Sequence, residues 1–365
     1  MTAQHSPECA MGYEYLCWED VQEGEALPAV EYELSLLRLV SFVRATGLYD
    51  YVHFDRDYAR SVGARDAFIS TPHVAGLFTR LLTDWSGPQA DILAMSFSML
   101  DQSCAGDMLK LTGRVARKYI DAGGGHLVDV VDMTMGHAIA PRAASAKATL
   151  RLPSRAAGRL ASALREAPPA VPAPAADMPE FAKPLMRKPQ VLQRKVRAIS
   201  QEAIHLWCES LEDWNPLYWD EEFSARNRYG AVISPPEGNF FGVGSSASAG
   251  IGYAKPGEEI PPPVANGLAG LPLLQQMRSH LLAPHNTVHL PDFSEVVVVE
   301  SQASYLQPVY AGDQLHFTQE LIDCSPQKVT KLGVGHFFTS LQCSWNQRNE
   351  MVKAVTKKSY YYRPR

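Results

Sequence analysis

Two loops in this chain carry the residues best suited to proton chemistry, and each is an altered copy of the other. The first reads Ala45-Thr-Gly47-Leu48-Tyr-Asp50-Tyr-Val-His53-Phe-Asp55, and the second Leu211-Glu-Asp213-Trp-Asn215-Pro-Leu-Tyr218-Trp-Asp220. Tyr58-Ala-Arg follows the first and Phe223-Ser-Ala-Arg the second. His53 can exchange a proton near neutral pH. Its counterpart is Tyr218, a phenol with a pKa of about 10 and a poor base there. Conversely, the second copy keeps a carboxylate, Asp213, where the first has Leu48. The two halves of an acid/base pair are thus divided between the copies.

The elements that must position these loops also come in pairs. Ser35 caps a run with Leu36, Leu39, Val40 and Val43 at helical spacing, and Ser200 opens the matching run with Ala203, Ile204 and Trp207. After the first loop and an apolar step to Ser70, Thr71-Pro72 starts a strongly apolar helix. Threonine as cap with proline at the first helical position is a start signal, and Gly87-Pro88 ends the run. In the second unit the equivalent step reaches Ser234, but Gly/Ser/Pro-rich sequence around 238–290 then intervenes, with a helical segment expected near Leu271 to Leu282. Both units close on strands. Ala105-Gly106-Asp107 and Ala311-Gly312-Asp313 are matching turns, and alternating runs follow at 126–135, 144–152, 336–344 and 352–361. Between the units, residues 156–185 are Pro- and Ala-rich and read as an extended linker. The expected layout is a unit over 13–155 and another over 186–363, each α+β, with a long helix embraced by an antiparallel sheet.

Composition narrows the classes of function. With 365 residues, 46% apolar and 20% charged, the chain is globular and long enough for two cores. A net charge of −5 gives no reason to expect nucleic acid as a partner. The 6 cysteines have no metal-ligand spacing and read as reduced thiols. His126, His137, His336 and the cluster His280, His285 and His289 likewise lack the spacing of a metal site. Gly333-Val-Gly335 falls between strands, which argues against a dinucleotide loop. No stretch has the ~20 apolar residues of a membrane span and no signal peptide is recognisable, so a cytoplasmic location without a membrane partner is the expectation.

Taken in order, these motifs resemble the MaoC-like hydratase/dehydratase branch of the hot-dog superfamily. Its loop reads Gly-Asp-x-Asn-Pro-x-His-x-Asp, ahead of a Tyr-Ala pair, a helix and a Gly-Asp turn. The second unit is similar to the N-terminal dehydratase-like domains of that family, whose loop reads Glu-Asp-Trp-Asn-Pro-Leu-Tyr-Trp-Asp-Glu-Glu, as residues 212–222 do here. The resemblance implies a double hot-dog: two long helices packed against antiparallel sheets that join edge to edge. It also implies reversible, (R)-type addition of water across the double bond of an enoyl thioester on coenzyme A or an acyl carrier. That chemistry needs no metal or redox cofactor, the coenzyme being part of the substrate.

Carried over residue by residue, the family's loop aspartate falls on Leu48, its asparagine on Asp50 and its proline on Tyr51, while His53 and Asp55 survive. Asp50 is then the candidate substitute for the lost carboxylate, with His53 as its catalytic partner. Ser70, Thr71 and His73 occupy the helix start that the family uses to hold the thioester oxygen. Pro72 has no N–H to give, so the donors there would be Thr71 and His73. Asp213, Asn215 and Tyr218 would line the substrate tunnel from the second unit. The long insertion could widen that tunnel for a bulky acyl group. Loss of the aspartate leaves two other readings open: a non-catalytic, thioester-binding partner in a hetero-oligomer with a related hot-dog subunit, or a pocket reused for other chemistry on a polyketide-like substrate. A homodimer is also compatible with the sequence.

Overall fold

A computed structural model describes residues 13–48, 50–157, 173–186, 190–194, 198–238 and 295–364. The stretch expected to hold the second unit's insertion, including Leu271–Leu282 and the His280, His285 and His289 cluster, lies outside the described residues.

In the first unit, β1 (Val30–Leu34) leads into α1 (Leu36–Thr46). Ser35 caps that helix by accepting from the Arg38 N–H, and Gly47 ends it with φ 68°. A short turn over Tyr51–His53 and α2 (Arg56–Ser61) follow, the latter capped by Asp55. The central helix α3 spans Thr71–Ser86 and ends at Gly87 as its stop signal predicts, while its cap is Ser70, one residue before the expected Thr71. The sheet then runs through β2 (Asp91–Met99), β3 (Asp107–Ile120), β4 (His126–Gly136) and β5 (Ala144–Arg151). In the second unit, β6 (Gln190–Arg194) precedes α4 (Gln201–Leu211), α5 (Pro216–Trp219) and α6 (Glu221–Arg226). Ser200 caps α4 as Ser35 caps α1. Glu212 takes the left-handed turn that Gly47 takes in the first copy, with φ 54°. The repeat therefore extends to backbone conformation. The strands β7 (Glu295–Tyr305), β8 (His316–Cys324), β9 (Lys328–Val329), β10 (Gly333–Trp345) and β11 (Met351–Pro364) complete the unit.

All these strands form one sheet, in the order β1-β3-β4-β5-β2-β7-β11-β10-β8-β6, with β9 beside β10. Each sheet pairing between named strands is antiparallel, and the two units meet where β2 pairs with β7, from Ala94↔Ser304 to Ser98↔Glu300. The alternation at 91–99 and the Val-rich run at 295–305 are strands that the sequence reading passed over, and they are the two that join the units. The core lies between this sheet and the helices. Leu77, Phe78, Leu81 and Leu82 of α3 are fully buried against Leu109, Leu111 and Val130 of the first half-sheet, in one cluster with Ile204, Trp207 and Leu211 of α4. Gly76 permits that approach, since a Cβ there would lie 2.5 Å from the Leu211 side chain. Gly335 sits inside β10, where a Cβ would lie 2.0 Å from the Tyr361 carbonyl oxygen. A close strand contact, not a nucleotide, explains that glycine.

The Pro/Ala-rich stretch is not wholly an extended tether. Met178, Phe181, Ala182 and Met186 pack against Leu321, Phe338 and Tyr361, and the Ala175 N–H donates to Asp323. Cys17, Cys104, Cys208, Cys324 and Cys343 are free and buried. Among the described residues, no helix is long and apolar enough to cross a membrane.

A charged knot ties the units beside the β2–β7 seam. Asp91, at the start of β2, accepts from Arg151 (2.5 Å), from the Tyr229 hydroxyl (2.6 Å) and from Arg228. Arg228 also donates to the Gln89 carbonyl at 2.8 Å. Burial alone would raise the Asp91 pKa, but the two guanidiniums outweigh it and hold the carboxyl below the usual range. Asp91→Ala leaves Arg228 buried without its counter-charge. The expected loss is about 3–5 kcal/mol of unfolding free energy, read as a lower urea midpoint with an unchanged slope.

Candidate active site

The first-unit residues singled out by type and spacing do come together, at the N-terminal end of α3. The loop bearing His53 is pinned there by backbone: the Phe68 N–H donates to the Val52 carbonyl at 3.1 Å, and the His53 ring Nδ1 lies 2.8 Å from the Phe68 carbonyl. A carbonyl only accepts, so Nδ1 carries the proton and Nε2 of the neutral ring is left with a bare lone pair. Burial pushes the His53 pKa down, and the negative charge of Asp50 partly offsets that. Asp50 precedes the turn over Tyr51–His53 without capping it through its side chain.

Ser70 is the cap residue of α3, yet its hydroxyl makes no capping bond and, at 4% exposure, has no hydrogen-bond partner. Ser103 lies alongside, its carbonyl taking the Ile69 N–H at 2.9 Å and its own buried hydroxyl unpartnered. The first-turn N–H groups of a helix have no partner within it. Thr71 and His73 supply such groups, and Pro72 supplies none. An unmet buried polar group costs about 1–3 kcal/mol, so this concentration of them marks a place built to meet something polar.

His73 is fully buried, stacked on Phe42 with ring centroids 4.1 Å apart. Its Nε2 lies 3.1 Å from the Tyr32 hydroxyl, and that hydroxyl donates to the Ser210 carbonyl of α4 at 2.7 Å. Burial, the neighbouring His53 and Arg38 lower the His73 pKa to about 3. Tyr32, Ser103 and Ser210 are participants the sequence reading missed. They lie 41 residues from His73, on the loop after β2, and 178 residues from Tyr32, and nothing local marks them.

The second-unit residues pack against α3 and the junction of the units. Asp213 is buried beside Asp84 and Arg80 of α3, and Arg80 also donates to the Leu211 carbonyl at 2.8 Å. Asn215 and Tyr218 face a cleft whose lining does not include His53, Ser70, Thr71 or His73. Asn215 caps α5 by accepting the Leu217 N–H at 3.1 Å, a structural task. Tyr218 and Asn215 line a separate cleft with Ser234, Asp91 and Tyr229 at the junction of the units. Glu237, just beyond Ser234-Pro-Pro, is paired with Lys353 at 2.5 Å and accepts from Tyr305. No group of side chains suited to a metal occurs among the described residues.

Burial, and next the charge of Asp84, raise the Asp213 pKa from 3.8 to about 7. The folded state then holds a proton that the unfolded chain releases, so stability falls as pH rises from about 4 to about 7 and is level above that. Asp213→Asn removes this decline. The difference in Tm between variant and parent should grow in favour of the variant across that interval, in thermal melts at stepped pH.

Comparisons with known proteins converge on one family. Residues 190–355 match the model of the FAS1-like dehydratase domain region. A probable enoyl-CoA hydratase alpha subunit of Thermomonospora curvata is 28% identical over 44% of this chain and 44% of its own length. The 3-oxo-4,17-pregnadiene-20-carboxyl-CoA hydratase beta subunit of Mycobacterium tuberculosis is 33% identical over 25% of this chain and 71% of its own length. The chain thus spans less than half of the first relative. A MaoC domain dehydratase structure from Chloroflexus aurantiacus superposes with a TM-score of 0.61 over 99% of this chain and 100% of that one, at 12% identity.

Proposed function

Since this chain belongs to the MaoC-like hydratase/dehydratase family and has its double hot-dog fold, we propose that it is an (R)-type hydratase or dehydratase acting on an enoyl or 3-hydroxyacyl thioester, with coenzyme A as the carrier. The observation that carries this reading is His53: its proton is fixed on Nδ1 by the Phe68 carbonyl, so the bare Nε2 is available at the start of α3.

In the hydration direction, His53 Nε2 takes a proton from water as the water oxygen bonds to the β-carbon. The double-bond electron pair moves toward the thioester oxygen. The N–H groups of Thr71 and His73 and the Ser70 hydroxyl stand where that oxygen's growing charge would be met, at the positive end of the helix dipole. The proton then passes from the imidazolium to the α-carbon as the electron pair returns. Asp50 acts through charge: it stabilises the imidazolium and so strengthens His53 as a base.

A second reading is favoured by Leu48. A chain lacking the family's loop carboxylate could serve as the thioester-binding partner of a related hot-dog subunit, as the alpha- and beta-subunit names of its relatives suggest.

The purified chain should hydrate at least one member of a panel of enoyl-CoA esters running from crotonyl to ring-bearing acyl groups. His53→Ala should lower kcat/KM at least about 100-fold, within the range of general-base removal. Asp50→Asn should lower it about tenfold and move the acid limb of the pH profile to lower pH, because His53 loses the charge that raises its pKa. If the whole panel is bound but none is turned over, the partner reading replaces this one. If His53→Ala is fully active, the chemistry lies elsewhere.

A further inference from the structure

The hydrogen bonds that build the first unit's site recur in the second. The Phe68 N–H donates to the Val52 carbonyl at 3.1 Å and the Ile69 N–H to that of Ser103 at 2.9 Å. In the second unit the Ile233 N–H donates to the Leu217 carbonyl at 3.1 Å and the Ser234 N–H to that of Val309 at 2.7 Å. The bonds from Ala105 to Ala67 and from Ala311 to Val232 are a further matched pair. Tyr218 therefore stands in the place of His53, and Ser234-Pro235-Pro236 in the place of Ile69-Ser70-Thr71. The chemistry of that place has changed. A phenol replaces the imidazole base, and two prolines, which have no N–H, replace residues that offer one. With the base and the backbone donors both gone, this place cannot run the first unit's reaction.

The place is nonetheless open. Tyr218, Asn215, Ser234 and the two prolines line the cleft at the junction of the units, whose volume is about 110 Å³. A cavity of about 150 Å³ takes a benzene ring, so this one has room for about five non-hydrogen atoms. Its free polar groups are donors. Tyr218 is 3% exposed, and its hydroxyl makes no hydrogen bond among the described residues yet is not sealed off as those of Ser70 and Ser103 are. Burial, and next the charge of Asp213, hold its pKa well above the ordinary value, so it keeps its proton. Asn215 accepts the Leu217 N–H through Oδ1, which leaves its NH2 to donate. The charged residues of the lining are Arg151, Arg228 and Asp91; two guanidiniums share one carboxylate, so one positive charge is in excess. We propose that this cleft is a second small-molecule site, which binds a short-chain carboxylate without turnover. The Tyr218 hydroxyl and the Asn215 amide hold its oxygens, and its alkyl end lies against Leu217, Ile233 and Val309. Because Arg151 and Tyr218 come from different units, occupancy favours the closed junction. This site stands whether or not the first unit turns over a thioester.

Isothermal titration of the full chain with propionate at pH 6, where Asp213 still holds its proton, should give a Kd of about 1 mM, in the range open to a ligand this small. Tyr218→Phe removes no hydrogen bond made within the protein, and should weaken binding at least about tenfold, the worth of a hydrogen bond to a charged group. Asn215→Asp still caps α5 but brings a negative charge, and should abolish binding. Propionamide has the same shape without the charge and should bind at least about tenfold more weakly. His53→Ala should bind propionate as the parent does. Thermal melts identify any variant that fails to fold, and methyl NMR of the parent needs no variant. Propionate should shift the methyl signals of Ile233, Leu217 and Val309 and leave unmoved that of Ile69, which holds the matching place in the first unit. No binding at about 50 mM propionate, equal binding of propionamide or undiminished binding by a folded Tyr218→Phe overturns the proposal. Loss of binding in His53→Ala, or shifts at Ile69 in place of Ile233, puts the acid in the first unit's site and overturns it as well.

Discussion

The pairing of β2 with β7 is the constraint on which the rest of the molecule depends. Without it each unit would present a long strand edge with unmet backbone groups. With it, two half-sheets become one surface, and α3 and α4 are brought into a single apolar cluster against it. The Asp91 knot sits at the end of this seam and ties the turn at Arg228-Tyr229 to the first strand of the join. The hydrophobic contacts favour closure of the units in many relative positions. The strand register and the charge pairs on Asp91 restrict them to one.

The two loop copies, once joined in this way, have opposite electrostatic characters. In the first, burial keeps two imidazoles neutral and hydrogen bonds to carbonyl or phenol oxygens decide which nitrogen is bare. In the second, burial and a neighbouring carboxylate keep Asp213 protonated until about neutral pH, and its counterpart to His53 is a buried phenol. A protonated acid and a buried phenol are donors more than bases. The copies have diverged into a face that accepts protons and one that holds the fold together.

Much of this was legible in the sequence where the signal is local. Ser35, Ser200, Thr71-Pro72 and Gly87 mark helix ends, and the alternation at 126–135 and 352–361 marks strands, because caps and pleats are decided within a few residues. The repeat of the loops identified His53 and its position before the central helix. What the sequence did not disclose depends on tertiary distance. Asp91 and Arg228 are 137 residues apart, and neither sits in a motif. The burial of His73 comes from Phe42 and α4 closing over it, which no local pattern shows. The run of valines at 296–299 is a local strand signal, and it lies in β7.

The link from His73 through Tyr32 to the second unit ends on a main-chain oxygen, that of Ser210. Any residue at that position would offer the same acceptor, so substitutions at 210 that keep the helix in place leave the link untouched. What natural variation must conserve is the height and angle of α4 above β1, a property spread over many packing residues and visible at none of them. Relatives could therefore share this arrangement of protons while sharing few letters where it is anchored, and a family tree drawn from identities alone would pass over the inheritance.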